Sequence, residues 1–203
     1  MTDDARELAR ARKHLRAELR ARRRALTPEM RESAARRVAL HVQHHFSLHP
    51  GQRIALYNPT PEELDVAPIA ALVLRHGGRI FVPRLTDRRR RRMQFVAASG
   101  PMRPNPLGIL EPEGREVAAI RSLALVFVPL VGFDASGMRL GMGAGYYDRA
   151  FAFRHLRSVW HRPRLVGIGF ALQRVTAIAA AAHDVRLDAI VTEEGILRCR
   201  TGC

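Results

Sequence analysis

At 203 residues, with 47% hydrophobic and 26% charged side chains, the chain suits a single domain (1–203) whose core needs no disulfide or metal to hold it. No apolar run reaches 18 residues, which excludes a membrane-spanning helix, and the acidic start Met1-Thr2-Asp3-Asp4 is the reverse of a secretory signal, so a cytoplasmic location is expected. The formal charge is +15, from 34 basic and 19 acidic residues, and every basic residue except Lys13 is arginine.

Leu8, Leu15, Leu19 and Leu26 recur at spacings that predict a first amphipathic helix. Thr27-Pro28-Glu29 ends it and caps a second helix, with Thr27 as N-cap and Pro28 in the first helical position. That helix runs through Met30, Val38 and Leu40 until His49-Pro50-Gly51 stops it. Its His41, His44 and His45 read as a solvated face. Short apolar runs then alternate with helical segments. Strands are predicted at 54–57, 80–82 and 93–96, and a helix from Asp65 to Gly77-Gly78. The run at 123–128 is apolar throughout, as a parallel strand covered on both faces should be. Strands at 165–170 and 188–192 complete an α/β layered sheet. Cys199 and Cys203 fall in the last five residues, where a frayed tail would support neither a disulfide framework nor a zinc site.

The most informative stretch is 128–149, which starts at the carboxyl end of the 123–128 strand, where α/β sheets bind ligands. Gly141, Gly143 and Gly145 alternate there and lead toward a predicted helix. Glycines let the backbone approach an anion, and a helix start turns free N–H groups toward it. The spacing is neither G-x-G-x-x-G nor G-x-x-x-x-G-K-[ST], so the glycines alone suit a structural turn equally well. Arg139 adds a two-pronged anion partner, Tyr146 and Tyr147 add stacking faces, and Asp148 adds a hard oxygen ligand. On the first helix Arg12 and Arg16 fall at the edge of the leucine stripe, while Lys13 points away. Two inward arginines one turn apart need anionic partners, unless their stems cover the core and their heads stay in water.

Gly132-Phe133-Asp134, Gly137 and Arg139-Leu140-Gly141-Met142-Gly143-Ala144-Gly145-Tyr146-Tyr147-Asp148-Arg149 closely resemble the signature of the 5-formyltetrahydrofolate cyclo-ligase family. The resemblance covers nearly the whole chain. Arg12-Lys13-His14-Leu15-Arg16 is similar to the family's basic ATP-contacting helix, and Glu62-Glu63-Leu64-Asp65 to its folate-contacting turn. Gly108-Ile109-Leu110-Glu111-Pro112, Gln173, His183-Asp184 and Val191-Thr192-Glu193 also sit where the family has similar residues. Ala144 departs from the glycine of bacterial members and the lysine of some eukaryotic ones, and Arg12 from a frequent lysine.

The resemblance implies an α/β three-layer sandwich with a mostly parallel sheet, similar to the sugar-phosphate isomerase and CoA-transferase group, plus an N-terminal helical pair. It implies ATP contacts by Arg12, Lys13, Arg16, Arg139, Leu140, Gly141, Met142, Gly143, Ala144, Gly145, Tyr146 and Tyr147. Folate contacts fall to Asn58 and Glu63 with Met142, Gly143, Ala144, Gly145 and Tyr146, although by residue type Glu62 could serve in place of Glu63. Arg139 and Tyr146 are implied as catalytic, and Asp148 with Asp184 as ligands to Mg²⁺. The implied reaction is ATP-dependent closure of 5-formyltetrahydrofolate to 5,10-methenyltetrahydrofolate. The partners are then small molecules rather than a membrane or a nucleic acid, and the protein a monomer or weak dimer. The rival reading is a basic nucleic-acid-binding module on the same fold without catalysis, which the charge favours. Against it, Arg88–Arg92 has no interleaved aromatics. That run is expected to be a solvated, dispensable loop between two strands.

Overall fold

The computed structural model describes residues 3–106, 108–155 and 162–199. Helix α1 spans Asp3–Arg24, with acidic residues in its first turn and arginines in its last, as the helix dipole favours. Helix α2 spans Pro28–His45. Thr27 caps it as expected, its hydroxyl accepting from the Met30 N–H at 3.3 Å. The buried stripe of α2 is Ala34, Ala35, Val38 and Val42. Met30 and Leu40, placed on the apolar line by sequence, are about half exposed. The helix also ends at His45, before the His49-Pro50-Gly51 stop, because Phe46 turns extended into the core.

The remaining elements are β1 (Arg53–Ala55), α3 (Ala67–Arg75), β2 (Arg79–Asp87), β3 (Arg92–Ala97), β4 (Met102–Pro104), β5 (Leu110–Pro112) and β6 (Val117–Ala118). They continue with β7 (Leu125–Pro129), β8 (Gly132–Phe133), β9 (Arg139–Leu140), α4 (Tyr146–Ala150), β10 (Arg164–Ile168), β11 (Ala189–Thr192) and β12 (Gly195–Arg198). The main sheet has the order β12-β11-β10-β7-β1-β2-β3-β6. Its centre, β11 to β2, is parallel, and the edge strands β12, β3 and β6 pair antiparallel. Two hairpins, β4–β5 and β8–β9, stand apart from it.

Alternation along β7 shows why the sheet is the middle layer. Leu125 and Phe127 pack with α2 and α3 on one face, while Val126 and Val128 pack with Phe151, Val185 and Leu187 on the other. Burying both faces of a parallel strand requires the unbroken apolar run seen in the sequence. Helix α1 packs elsewhere. Leu19, fully buried, joins Val131, Met138, Leu140 and Ile178 in a third cluster at the carboxyl ends of the strands. The break at Thr27-Pro28 therefore separates a layer helix, α2, from a site helix, α1. Cys199 is not frayed: it is buried at 9% exposure in the second cluster, with its chain following the edge strand β12. Cys203 lies outside the described residues. Among these residues no helix is long and apolar enough to cross a membrane.

Candidate active site

The carboxyl end of β7 is held by two buried polar side chains. Gln173 donates from Nε2 to the carbonyls of Leu130 and Val131, at 2.8 and 2.9 Å. Asp134 accepts on Oδ1 from the N–H groups of Ser136 and Met138 and on Oδ2 from that of Ile178. Both are nearly inaccessible, so these signature residues fix the β8–β9 hairpin rather than face a ligand. That hairpin delivers the segment Gly141–Gly145. Gly143 and Gly145 have φ of +97° and +71°, in the left-handed region where a side chain is strained. A Cβ on Gly143 would lie 3.6 Å from the Arg16 Cζ. The following helix, α4, is a five-residue turn, so its dipole is small and the loop amides and arginines must supply most of the attraction for an anion.

A pocket of about 260 Å³ opens beside this loop. Small-molecule sites run roughly 300–1,000 Å³, so groups on the rim matter for a ligand as large as a nucleotide. Its lining brings together Arg12, Arg16, Asn58, Glu63, Arg139, the segment Leu140–Tyr147, Asp148 and Asp184. Of the residues that the resemblance implies for ATP, folate or Mg²⁺, Lys13 alone is not among the lining residues; it is exposed, in keeping with its outward position on the helix.

Charge in the pocket is largely matched within the chain. Arg139, 7% exposed, donates from Nη2 to Asp148 Oδ1 at 2.8 Å and from Nη1 to the Val185 carbonyl at 3.3 Å. Arg12 grips Asp184 with both Nη groups and donates from Nε to the Ala179 carbonyl at 3.0 Å. Arg12 therefore has an anionic partner without any ligand, which corrects the expectation that phosphate must provide it. The Asp184 carboxyl is held below its ordinary range because the Arg12 and Ala181 hydrogen bonds outweigh burial. Arg16 differs. It donates from Nε to the Gly141 carbonyl at 2.8 Å and has no carboxylate partner among the described residues. Burial, then repulsion from Arg12, makes its charge less favourable than usual. Asp184 partly offsets this from a distance, but Arg16 makes no salt bridge with a carboxylate among the described residues.

Tyr147 stacks on Phe151 with ring centroids 6.3 Å apart and lies under the Arg139 guanidinium. Its hydroxyl is buried with no hydrogen-bond partner among the described residues, and burial pushes its pKa well up. Both half-buried tyrosines, Tyr146 and Tyr147, line the pocket. Glu62 and Glu63 lie in different surroundings. Glu63 lines the pocket, its Oε2 accepting from the Thr60 N–H at 2.9 Å, whereas Glu62 binds arginines of α1. Asn58 donates to the Leu110 carbonyl. His183 is 75% exposed and 3.9 Å from Asp184.

Sequence reasoning missed the wall formed by Leu85, Met93, Asn105, Ile109 and Glu111. Leu85 and Met93 look like core, Asn105 carries no local signal, and Ile109 and Glu111 were signalled only through the segment 108–112. Its Oε1 accepts from the Leu85 N–H and the Asn105 amide. The arginine run 88–92 forms the turn and the first residue of β3. It is exposed as expected, but Arg91 comes back toward the glycine loop, its Nη1 3.9 Å from where a Gly145 Cβ would be.

Asp148 and Asp184 suit Mg²⁺, which takes one or two carboxylates beside phosphate oxygens. Asp148 Oδ2 accepts no hydrogen bond among the described residues, whereas both oxygens of Asp184 are engaged by Arg12 and the Ala181 N–H. Among the described residues no group of three or more His, Cys, Asp or Glu side chains forms a self-sufficient metal cage.

A mostly parallel α/β sheet with paired charges and a glycine loop at its strand ends has the construction of a small-molecule enzyme. The 5-formyltetrahydrofolate cyclo-ligase family model matches residues 9–193. A 5-formyltetrahydrofolate cyclo-ligase of Escherichia coli (strain K12) is 30% identical over 180 residues, covering 86% of this chain and 96% of that one. One from Mus musculus is 28% identical over 193 residues, covering 91% and 94%. The solved 5,10-methenyltetrahydrofolate synthetase of Aquifex aeolicus superposes with a TM-score of 0.78 at 27% identity, over 95% of this chain and 94% of that one. The chain belongs to the 5-formyltetrahydrofolate cyclo-ligase family.

Proposed function

We propose that the protein closes 5-formyltetrahydrofolate to 5,10-methenyltetrahydrofolate, converting ATP to ADP and phosphate. One observation carries this reading: Arg16, the glycine loop and the Arg139–Asp148 pair share a single pocket with Asn58 and Glu63. Nucleotide phosphates on the loop would then lie next to a folate held by the opposite wall.

The formyl oxygen attacks the γ-phosphorus, the bond to the β-phosphate oxygen breaks, and ADP leaves. The formyl carbon, now bearing a phosphate on oxygen, is electrophilic. N10 adds to it and loses its proton, and phosphate departs with the former formyl oxygen. Such transfers need positioning and charge neutralisation more than covalent help from the protein. Arg16 supplies positive charge at the loop carbonyl and is relieved of its own desolvation by an arriving phosphate. Arg139 holds Asp148 in place from a buried position, and its guanidinium is kept from rotating away by its bonds to Asp148 and the Val185 carbonyl. Tyr146 offers a flat face at the pocket wall. Asp148, together with Asp184 if it gave up one bond to Arg12, would hold Mg²⁺, which would supply charge neutralisation for the phosphates.

Mixing the protein with Mg-ATP and 5-formyltetrahydrofolate should raise the methenyl absorbance, with one ADP per product. No product, together with salt-sensitive RNA binding, would instead support the nucleic-acid reading.

A further inference from the structure

The β2–β3 hairpin contributes Leu85 and Met93 to the pocket wall, so its turn overhangs the glycine loop. Within that turn Asp87 is occupied by Arg90, accepting its N–H at 2.8 Å and facing its Nε at 3.8 Å. Arg91 has no carboxylate partner among the described residues. Its φ of +53° makes it the one described non-glycine residue in the left-handed region, where asparagine and glycine are the usual occupants. That conformation brings Nη1 to 3.9 Å from the Cβ position of Gly145. Two residues along the same loop, the Arg16 Cζ stands 3.6 Å from the Cβ position of Gly143. Two guanidinium groups that make no salt bridge with a carboxylate among the described residues thus approach a short backbone segment with no side chain at Gly143 or Gly145 to keep an anion away.

We propose that Arg91 is a nucleotide-binding residue, closing over the ATP triphosphate from the hairpin side while Arg16 meets it from α1. The assignment rests on the functional reading above and extends it to a residue outside the glycine signature. A polyphosphate is the ligand that fits, because several adjacent anionic oxygens can satisfy two forks near successive glycines of one loop. A single carboxylate would reach one of them. The remaining exposed arginines of the turn stay solvated, so the run divides into one functional and several indifferent members.

The test is calorimetric binding of a Mg-loaded non-hydrolysable ATP analogue, of AMP and of 5-formyltetrahydrofolate to the full chain. Arg91→Asn keeps the turn while removing the fork. It should weaken the triphosphate analogue about tenfold, the order of one charge-assisted contact, and change AMP and the folate by less than about twofold. Arg89→Asn should leave all three unchanged. Triphosphate affinity unchanged in Arg91→Asn, or an equal loss for AMP, would overturn the assignment. So would a loss confined to the folate, whose glutamate would then be the anion. If Arg91→Asn fails to fold, Arg91→Gly carries the same comparison, since the backbone angle favours glycine. Failure of the wild type to bind the analogue overturns the functional reading itself, a separate result from failure of the variant to differ.

Discussion

Helix α1 carries two arginine clusters that handle charge differently. Near its end, Arg20, Arg23 and Arg24 all donate to Glu62, at 3.0, 3.1 and 3.2 Å. That carboxyl is pushed down to about 2, chiefly by the Arg20 hydrogen bond. Near its start, Arg12 pairs one-to-one with Asp184, as Arg139 does with Asp148, and Arg16 is left with a carbonyl alone. One cluster directs several cations at a single internal anion and joins two segments of the fold. The other keeps its carboxylates near neutral balance and leaves one cation facing the glycine loop. Burial alone would not distinguish them; the way carboxylates are shared out in salt bridges does.

The comparison breaks most visibly at Arg139. Arg139→Leu leaves the Asp148 carboxylate without its cation, and removing one partner of a buried pair costs about 3 kcal/mol. Turnover should fall at least ~100-fold, with a lowered melting temperature. Arg139→Lys keeps the charge but loses the fork, and kcat should fall about tenfold; unchanged kcat in that variant would remove the role. Asp148→Asn and Asp184→Asn should each lower turnover roughly tenfold and raise the magnesium requirement. Each also loosens an arginine, so thermal melts should show a loss of ~1 kcal/mol. If both act on one ion, the double variant costs less than the summed penalties, and strict additivity would separate the two.

Arg16→Gln sharpens the contrast. It should raise the KM for ATP about tenfold with little change in melting temperature, because the lost bond is to one carbonyl rather than to a carboxylate. Glu62→Gln should do the opposite, lowering stability by about 1 kcal/mol after allowance for solvent screening and leaving kcat within about twofold. Its stabilising contribution is present in full above its ordinary value near 4.5 and is lost as pH falls toward 2. Acid denaturation of the wild type should therefore include a component in that window that Glu62→Gln lacks.

Much of this difference was legible in the sequence, for reasons that end at particular residues. The run 123–128 announced a central strand because both faces are covered, and Thr27-Pro28 announced a helix start because its cap is local. The short strands at 132–133 and 139–140 were not legible, since two residues carry no period. Arg12 and Arg16 were both read as inward-facing, but periodicity cannot say which one a distant aspartate will meet. Asp184 is 172 positions from Arg12, and that pairing is a property of the sheet. Arg91 was hidden for the opposite reason: five identical neighbours look alike until a left-handed turn singles one out.

The central claim is that this pocket transfers the γ-phosphoryl group to the formyl oxygen. A turnover with a heavy-oxygen label in the formyl group of 5-formyltetrahydrofolate tests it directly, by mass analysis of the phosphate released. The account predicts one labelled oxygen in each phosphate, ADP and methenyl product forming in equal amounts. Unlabelled phosphate, with the heavy oxygen recovered in water, would show that ATP hydrolysis and ring closure are separate events and would contradict it.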